Sequence, residues 1–279
     1  MPDSYMKPTI SVVIPSFNQG DFIGETLESI RRQRYAAIEV IVMDGGSTDD
    51  TSSVVGSFGD MVTIYVSEPD KGQSHAINKA IRLARGSIIA WQNSDDVFVD
   101  QNAFQQAEEA IRSGNADIVY GDTAIIDGRS RVIRMRYGMP PSLPFFINYR
   151  MFIANQSAFM SRTVVEKIGC FDESLHYAMD VEFYLRCLSK GIRFKYVPSL
   201  WGAYRIHDKA KFGSDLGLKW ASEMKLVYEH YGVRKTRRQK LVGLAEILVS
   251  SIRYRRLSYY FQRYVLRATQ PLLRDVALQ

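Results

Sequence analysis

Two adjacent carboxylates close the stretch "GSIIAWQNSDD", residues 86–96. Asp95 and Asp96 follow a short apolar run that reads as a buried strand, and open α/β sheets bind ligands outside the carboxyl ends of their strands. Mg2+ or Mn2+ takes oxygen ligands, commonly one or two carboxylates together with the phosphates of a substrate. The alternative is that one of the pair caps the following helix, whose first N–H groups need acceptors. A second acidic stretch is "MDGGSTDDT". There Gly45 and Gly46 permit a sharp turn, Ser47 or Thr48 suits an N-cap, and Asp49 and Asp50 suit the positive end of a helix. Asp44 is not explained by capping. At the end of a strand it could accept a ribose hydroxyl or the imide N–H of a uracil, with turn chemistry as the competing reading. Lys71, in the turn "EPDKG", could face a phosphate or simply be solvated. A third carboxylate group lies in "HYAMDVEFYLRC", where Glu182 and Arg186 are expected to do structural work, Glu182 at the surface or in helix pairing.

These side chains need strands to hold them. Apolar runs compatible with buried strands occur at Thr9 to Pro15, Ile38 to Asp44, Val62 to Ser67, Ser87 to Gln92 and Ala116 to Asp122. Helix-like stretches separate them, and that alternation predicts βαβ units on a largely parallel sheet flanked by helices, an α/β fold. Neither GxGxxG nor GxxxxGK[ST] occurs, so glycine-cradled dinucleotide and P-loop sites lose their main support. Past Asp122, "TAIIDGRSRVIRMRYG" reads as a hairpin turning at Asp127 and Gly128, and "MPPSLPFF" as a proline-broken loop. A block from Asn155 to Asp208 holds a short strand, one helix, then "IRFKYVP" and "LWGAYRIHD" as separate pieces.

The 279 residues, 46% hydrophobic, suffice for one large domain with an appendage. No charged-then-apolar leader and no transmembrane-length apolar run is evident, which predicts a cytoplasmic protein, or one at the inner face of the plasma membrane. Cys170 and Cys187 lack metal or disulfide spacing and suit a reducing compartment. Charge is uneven. From Lys219 onward 13 basic residues face 4 acidic ones, leaving 23 against 26 before it. The tail reads as helices, with Leu241, Leu244, Leu248 and Ile252 at helical spacing and Arg253, Arg256, Arg263 and Arg267 supplying charge. It suits either peripheral contact with anionic lipid or packing on the main domain or a second subunit. The expected division is 1–213 for the main domain and 214–279 for a basic amphipathic helical extension.

Four segments in order, "SVVIPSFNQGDFIGETLESI", "IEVIVMDGGSTDDT", "DKGQSHAINKAIRLARGSIIAWQNSDDVF" and "GCFDESLHYAMDVEFYLR", make the chain resemble glycosyltransferase family 2, inverting sugar-nucleotide transferases of the GT-A fold. The resemblance spans roughly residues 9 to 209. It implies a first-strand loop beside the base at Pro15, Phe17 and Asn18, and a nucleoside contact at Asp44. The family's Asp-x-Asp metal motif falls on Asn93, Ser94 and Asp95. With Asn at its first position, Asp95 is the implied ligand of Mn2+ or Mg2+, and Asn93 and Ser94 become neutral nucleotide or sugar contacts. The family's base usually lies in Glu-Asp; here Met179 precedes Asp180, the implied catalytic base. Some relatives use a late His on the metal or diphosphate, which points to His207, and Arg205 would neutralise phosphate. The donor would be a nucleotide sugar, UDP-linked by preference. The acceptor would be a saccharide or a lipid-linked glycan, as in polysaccharide or glycolipid assembly in the cell envelope.

Two other classes compete. A catalytically idle nucleotide-sugar-binding protein would keep the fold without the chemistry, but Asp44, Asp95 and Asp180 are all retained. A nucleic-acid-binding protein could use the tail, yet no recognised nucleic-acid motif accompanies it, so no nucleic-acid partner is expected.

Overall fold

Buried Ile and Val fill β1 (Ile10–Ser16), which takes the middle of the first half of a nine-stranded sheet because both its faces are covered. It pairs in parallel with β2 (Ile38–Asp44) on one side and β4 (Ile88–Trp91) on the other; β3 (Ile64–Ser67) extends the parallel set beyond β2. Helices α1 (Gly20–Arg31), α2 (Thr51–Gly56) and α3 (Gln73–Leu83) connect these strands. The computed structural model describes residues 9–149, 153–208, 216–233 and 236–260.

Beyond β4 the sheet becomes mixed. Its order is β3-β2-β1-β4-β8-β6-β9-β5, with β5 (Val97–Phe98), β6 (Ile118–Asp127), β8 (Ala158–Ser161) and β9 (Phe194–Ile206), while β7 (Val132–Arg136) hangs on β6 as a hairpin. Strand β8 runs antiparallel between β4 and β6; β6 and β9 are parallel. The hairpin turns at Asp127 as expected. The two pieces read around Pro198 form one strand, β9, and the sequence breaks because the β6 register skips there, from Tyr120↔Tyr196 to Asp122↔Leu200. A proline without an N–H sits comfortably in such an irregularity.

Two apolar cores cover the two faces. Ile23 and Leu27 of α1, Val55 of α2 and Phe104 of α4 (Ala103–Arg112) pack on one face. Ile77 of α3, Val164 of α6 (Arg162–Ile168) and Phe183 of α7 (Met179–Ser189) pack on the other. The segment read as a proline-broken loop contains a helix, α5 (Leu143–Tyr149). Pro144 lies in its first turn, where a missing N–H costs nothing, and the Ser142 hydroxyl accepts from Phe145 N at 3.1 Å. Both cysteines are free, and burial pushes the Cys187 thiol up to about 12.

The tail helices α8 (Leu216–His230), α9 (Arg237–Arg253) and α10 (Leu257–Tyr260) lie against this body. Met224 and Val227 of α8 join the α7 core, and Ile247 of α9 packs on Phe145 and Met139. A capping box between Thr236 and Gln239 starts α9. Of the four apolar positions read at helical spacing in α9, only Leu244 packs inward; Leu241, Leu248 and Ile252 are exposed. Arg256 does not supply surface charge, because its guanidinium clamps buried Asp122 with bonds of 3.1 and 2.8 Å. Arg263 and Arg267 lie outside the described residues. No described helix is long and apolar enough to cross a membrane.

Candidate active site

The acidic loop crosses from the end of β4 to β5, and β5 pairs antiparallel with the last part of β9 (Val97↔Ala203). That pairing brings Arg205 and His207 onto Asp95 and Asp96. Neither aspartate caps a helix, since the next helix, α4, begins only after Asn102. The two side chains part company. Asp96 is fully buried and accepts from Arg205 N at 2.8 Å, Asn93 Nδ2 at 2.9 Å and Gln156 Nε2 at 2.6 Å. Burial, then the neighbouring Asp95 charge, pushes its carboxyl well above the ordinary range against those three bonds. Asp95 stays partly open, its Oδ2 3.1 Å from His207 Nε2. His207 packs on Phe22 with ring centroids 4.2 Å apart and planes tilted by 40°, and among the described residues its buried Nδ1 has no hydrogen-bond partner.

Glycine makes the loop's support possible. A Cβ on Gly202 would lie 1.9 Å from the Gln156 carbonyl oxygen, so only Gly lets the turn at Asn155–Ser157 approach β9 and deliver Gln156 to Asp96. From the other side the Thr26 hydroxyl donates to the carbonyls of Ser94 and Asp96 at 2.9 and 2.7 Å.

Arg205 departs from its expected part. Its side chain is fully buried, with Nε donating to Asp95 O at 2.7 Å, Nη1 to Ser130 Oγ at 2.8 Å and Nη2 to Glu25 Oε2 at 2.7 Å. A guanidinium engaged in this way holds the loop and is not presented to a phosphate. Burial works against the Glu25 charge, but Ser130 and Arg205 hold its carboxyl below the ordinary range. Asn93 is similarly engaged: its Oδ1 accepts from Gln73 Nε2 and Trp91 Nε1 at 2.8 and 3.0 Å while its Nδ2 supports Asp96. It orients the loop more than it offers a neutral sugar contact. Ser94 is buried under the same loop, and Lys71 is exposed on its turn.

At the end of β2, Asp44 is buried and accepts from Ser47 N at 3.0 Å, from the Ser47 hydroxyl and from Ser67 Oγ at 2.5 Å. Ser47 and Thr48 do not cap α2. Ser47 Oγ accepts from Asn18 N at 2.7 Å and Thr48 N donates to Asn18 Oδ1 at 2.9 Å, which ties the β1 and β2 loops together. Asn18 adopts a left-handed φ of 52°. Pro15 is buried in β1, whereas Phe17 is 59% exposed and its ring lies over Gly45, whose added Cβ would be 3.3 Å from it. An exposed aromatic face beside a bare glycine and a carboxylate is suited to stacking a base.

Asp180 stands half-buried in the first turn of α7, its Oδ1 accepting from Val181 N at 2.7 Å. Tyr204, a residue absent from the motif reading, lies on β9 beside Arg205. Burial first, then the carboxylates of Asp96 and Asp95, pushes the Tyr204 phenol up; Arg136 opposes this and Asp180 adds to it. Glu182 pairs with Arg186 at 2.9 Å, and Arg186 also holds the carbonyls of Ile168 and Cys170, so both serve helix packing.

The donor set fits a divalent cation. Asp95 Oδ2 and His207 Nε2 converge at a loop edge that stays partly open, the arrangement of an ion completed by diphosphate oxygens and water. Among the described residues no group of three or more His, Cys, Asp or Glu side chains forms a self-sufficient metal cage.

Comparison with known proteins gives this arrangement its class. The model of Glycosyl transferase family 2 matches residues 11–172, and the chain belongs to that family. It is therefore a glycosyltransferase with the GT-A architecture. An uncharacterized glycosyltransferase of Mycobacterium tuberculosis is 35% identical over 184 residues, 64% of this chain and 68% of that one. The Escherichia coli UDP-Glc:alpha-D-GlcNAc-diphosphoundecaprenol beta-1,3-glucosyltransferase WfaP is 29% identical over 206 residues, 71% of this chain and 77% of that one. Among solved structures, Staphylococcus aureus TarS with UDP-GlcNAc superposes with a TM-score of 0.64 at 17% identity, covering 94% of this chain and 74% of that one. The mannosyltransferase PcManGT of Pyrobaculum calidifontis, solved with GDP-Man and Mn2+, gives 0.62 at 19% identity, covering 98% and 79%. These last two likenesses bear on the fold.

Proposed function

We propose that the chain transfers a sugar from a nucleotide sugar, UDP-linked by preference, to an acceptor hydroxyl with inversion at the anomeric carbon, in the assembly of a polysaccharide or glycolipid. The observation that carries this reading is the Asp95–His207 pair at 3.1 Å on a partly open strand-end loop, supported by the exposed Phe17 ring against Gly45 and the half-buried Asp180 carboxylate at the start of α7. The base of the nucleotide stacks on Phe17 and is bounded by the Asp44 loop, held by Asn18. Asp180 accepts the proton of the acceptor hydroxyl as its oxygen bonds to the anomeric carbon; the bond from that carbon to the diphosphate oxygen breaks, and its electron pair leaves on the nucleoside diphosphate. Asp95 and His207 would hold Mn2+ or Mg2+, which supplies charge stabilisation for the departing diphosphate. Buried Asp96 and Arg205, with half-buried Asn93, keep Asp95 pointed at the donor. A WfaP-like reaction on a diphospholipid-linked sugar is the acceptor chemistry that the relative's name favours for this chain.

Calorimetry with UDP, with and without Mn2+, tests the donor side. Asp95→Ala should abolish the Mn2+-dependent part of binding, and Asp180→Asn should keep binding while turnover falls about 10²- to 10⁴-fold. A Mn2+-independent UDP affinity that Asp95→Ala leaves unchanged would dismiss the metal assignment. Full turnover in Asp180→Asn would dismiss the base. UDP binding without turnover in the unaltered chain would favour the idle binding protein.

A further inference from the structure

The helix that carries Asp180 has no side-chain cap of its own. Its N-cap position is Ala178, and the N–H groups at that end need acceptors from elsewhere. One of them, the Ala178 N–H, finds its acceptor in the tail, together with the two amides that precede it. Glu223, half-buried on α8, accepts from His176 N at 3.0 Å through Oε1 and from Tyr177 N and Ala178 N at 2.7 and 2.8 Å through Oε2. One carboxylate 45 residues downstream thus gathers three successive amides, the last of them two residues before the base.

We propose that Glu223 is a positioning residue for the glycosyl transfer, a brace from the tail helix that fixes the entry of α7 and with it the direction of Asp180. The proposal rests on the reading of Asp180 as base. The opposite side of the segment is already held by α3: the Ser74 hydroxyl donates to Leu175 O at 3.0 Å, and Asn78 both accepts from Phe171 N at 3.0 Å and donates to Phe171 O at 2.9 Å. On the tail side, Lys219 lies 6.0 Å from the Tyr177 ring centroid, one turn before Glu223. The segment 171–178 is therefore clamped between the donor-side helix and the tail. The three amides sit at the tail-side jaw, and charge-assisted bonds to N–H groups are the stronger kind. Asp180 is two residues from the last of them, so a swing of the chain at 176–178 becomes a displacement of the base. A misplacement of about 1 Å in a reacting group can cost about 10²-fold in rate.

The test is a comparison of Glu223→Ala, Glu223→Gln and Asp180→Asn with the unaltered chain. UDP affinity with Mn2+ is measured by calorimetry, and steady-state kinetics use whichever UDP-, GDP- or dTDP-sugar the unaltered chain turns over fastest, with water or sugar acceptor. Glu223→Ala should lower kcat about ten- to hundredfold while the UDP affinity and donor KM stay within about twofold. Glu223→Gln, which keeps one acceptor oxygen, should fall between the two and serves as the readout where the alanine variant fails to fold. Normal kcat in both Glu223 variants beside an inactive Asp180→Asn overturns the brace and leaves the base intact. An active Asp180→Asn overturns the base assignment itself. Loss of UDP binding in parallel with kcat would make Glu223 a fold-stabilising residue only, and also overturns the proposal.

Discussion

Replacing Arg256 by Ala removes the cation from a carboxylate that is 3% exposed. Arg256 Nη2 donates to Asp122 Oδ2 at 2.8 Å and Nη1 to Oδ1 at 3.1 Å, with the guanidinium 4.2 Å from the Tyr137 ring centroid. After the substitution Oδ1 keeps Gly138 N at 2.9 Å and Tyr196 OH at 2.6 Å, but Oδ2 loses the Nη2 donor. Leaving one member of a buried pair uncompensated costs about 3–5 kcal/mol. Two surviving donors place Arg256→Ala near the lower end, about 3 kcal/mol, which is a change of roughly 100-fold or more in the unfolding equilibrium. Urea denaturation monitored by fluorescence and by circular dichroism measures it. Limited trypsinolysis reports separately whether α9 and α10 detach before the sheet melts. The double variant Asp122→Leu/Arg256→Met should recover much of the loss, because an apolar replacement of both partners removes the stranded charge. A cost under about 1 kcal/mol for Arg256→Ala, or a double variant no better than the single, would refute the idea that this pair anchors the tail.

Two further outcomes are expected. Glu39 is 1% exposed and accepts from Ser11, from the Arg85 and Gly86 amides and from Arg85 Nε at 3.0 Å; burial opposes its charge, but these donors hold its carboxyl below the ordinary range. Its folded value lies below the unfolded value of about 4.3, so its stabilisation is complete above that pH and vanishes as pH falls through the folded value. Glu39→Gln should cost about 2–3 kcal/mol at pH 7 and progressively less below pH ~4.3, read from urea midpoints across pH; a penalty independent of pH would refute the assignment. On α9, Leu241, Leu248, Val249 and Ile252 face outward at 56% exposure or more, with Arg253 exposed beside them. This face suits anionic lipid. Cosedimentation with phosphatidylglycerol vesicles should be lost in Leu248→Glu/Ile252→Glu and retained poorly on neutral vesicles; equal binding of the double variant would rule the face out.

Local patterning exposed the donor half of the fold. Buried Ile and Val in β1 and β2 and the glycines after Asp44 are short-range signals, and β2 runs from Ile38 to Asp44 as read. The acidic loop stood out by residue type at a strand end, whereas His207 was nominated only through the family resemblance; the structure brings the two within 3.1 Å. What escaped depends on distance in sequence. Nothing near Arg205 reveals that Glu25, 180 residues away, and Ser130 will enclose its guanidinium. Nor does the basic count of the tail reveal that Arg256 is spent on Asp122, 134 residues earlier. Helix α5 was masked by prolines because a proline's effect reverses between the first turn of a helix and its interior. Tyr204 was hidden in a strand, with nothing in its neighbours to mark the burial that raises its phenol.

The sheet also has a seam. The parallel half bearing Phe17 and Asp44 meets the half bearing Asp180 at β4 and β8, where only Ile88↔Ser161, Ile89↔Met160 and Ala90↔Phe159 are paired. Main-chain hydrogen bonds of that kind accept almost any side chain compatible with the buried faces. The two halves are nevertheless bound across that seam by side chains: α3 shares one apolar core with α6 and α7, and Gln156 reaches back to Asp96, so a change in buried volume on either half is felt by the other.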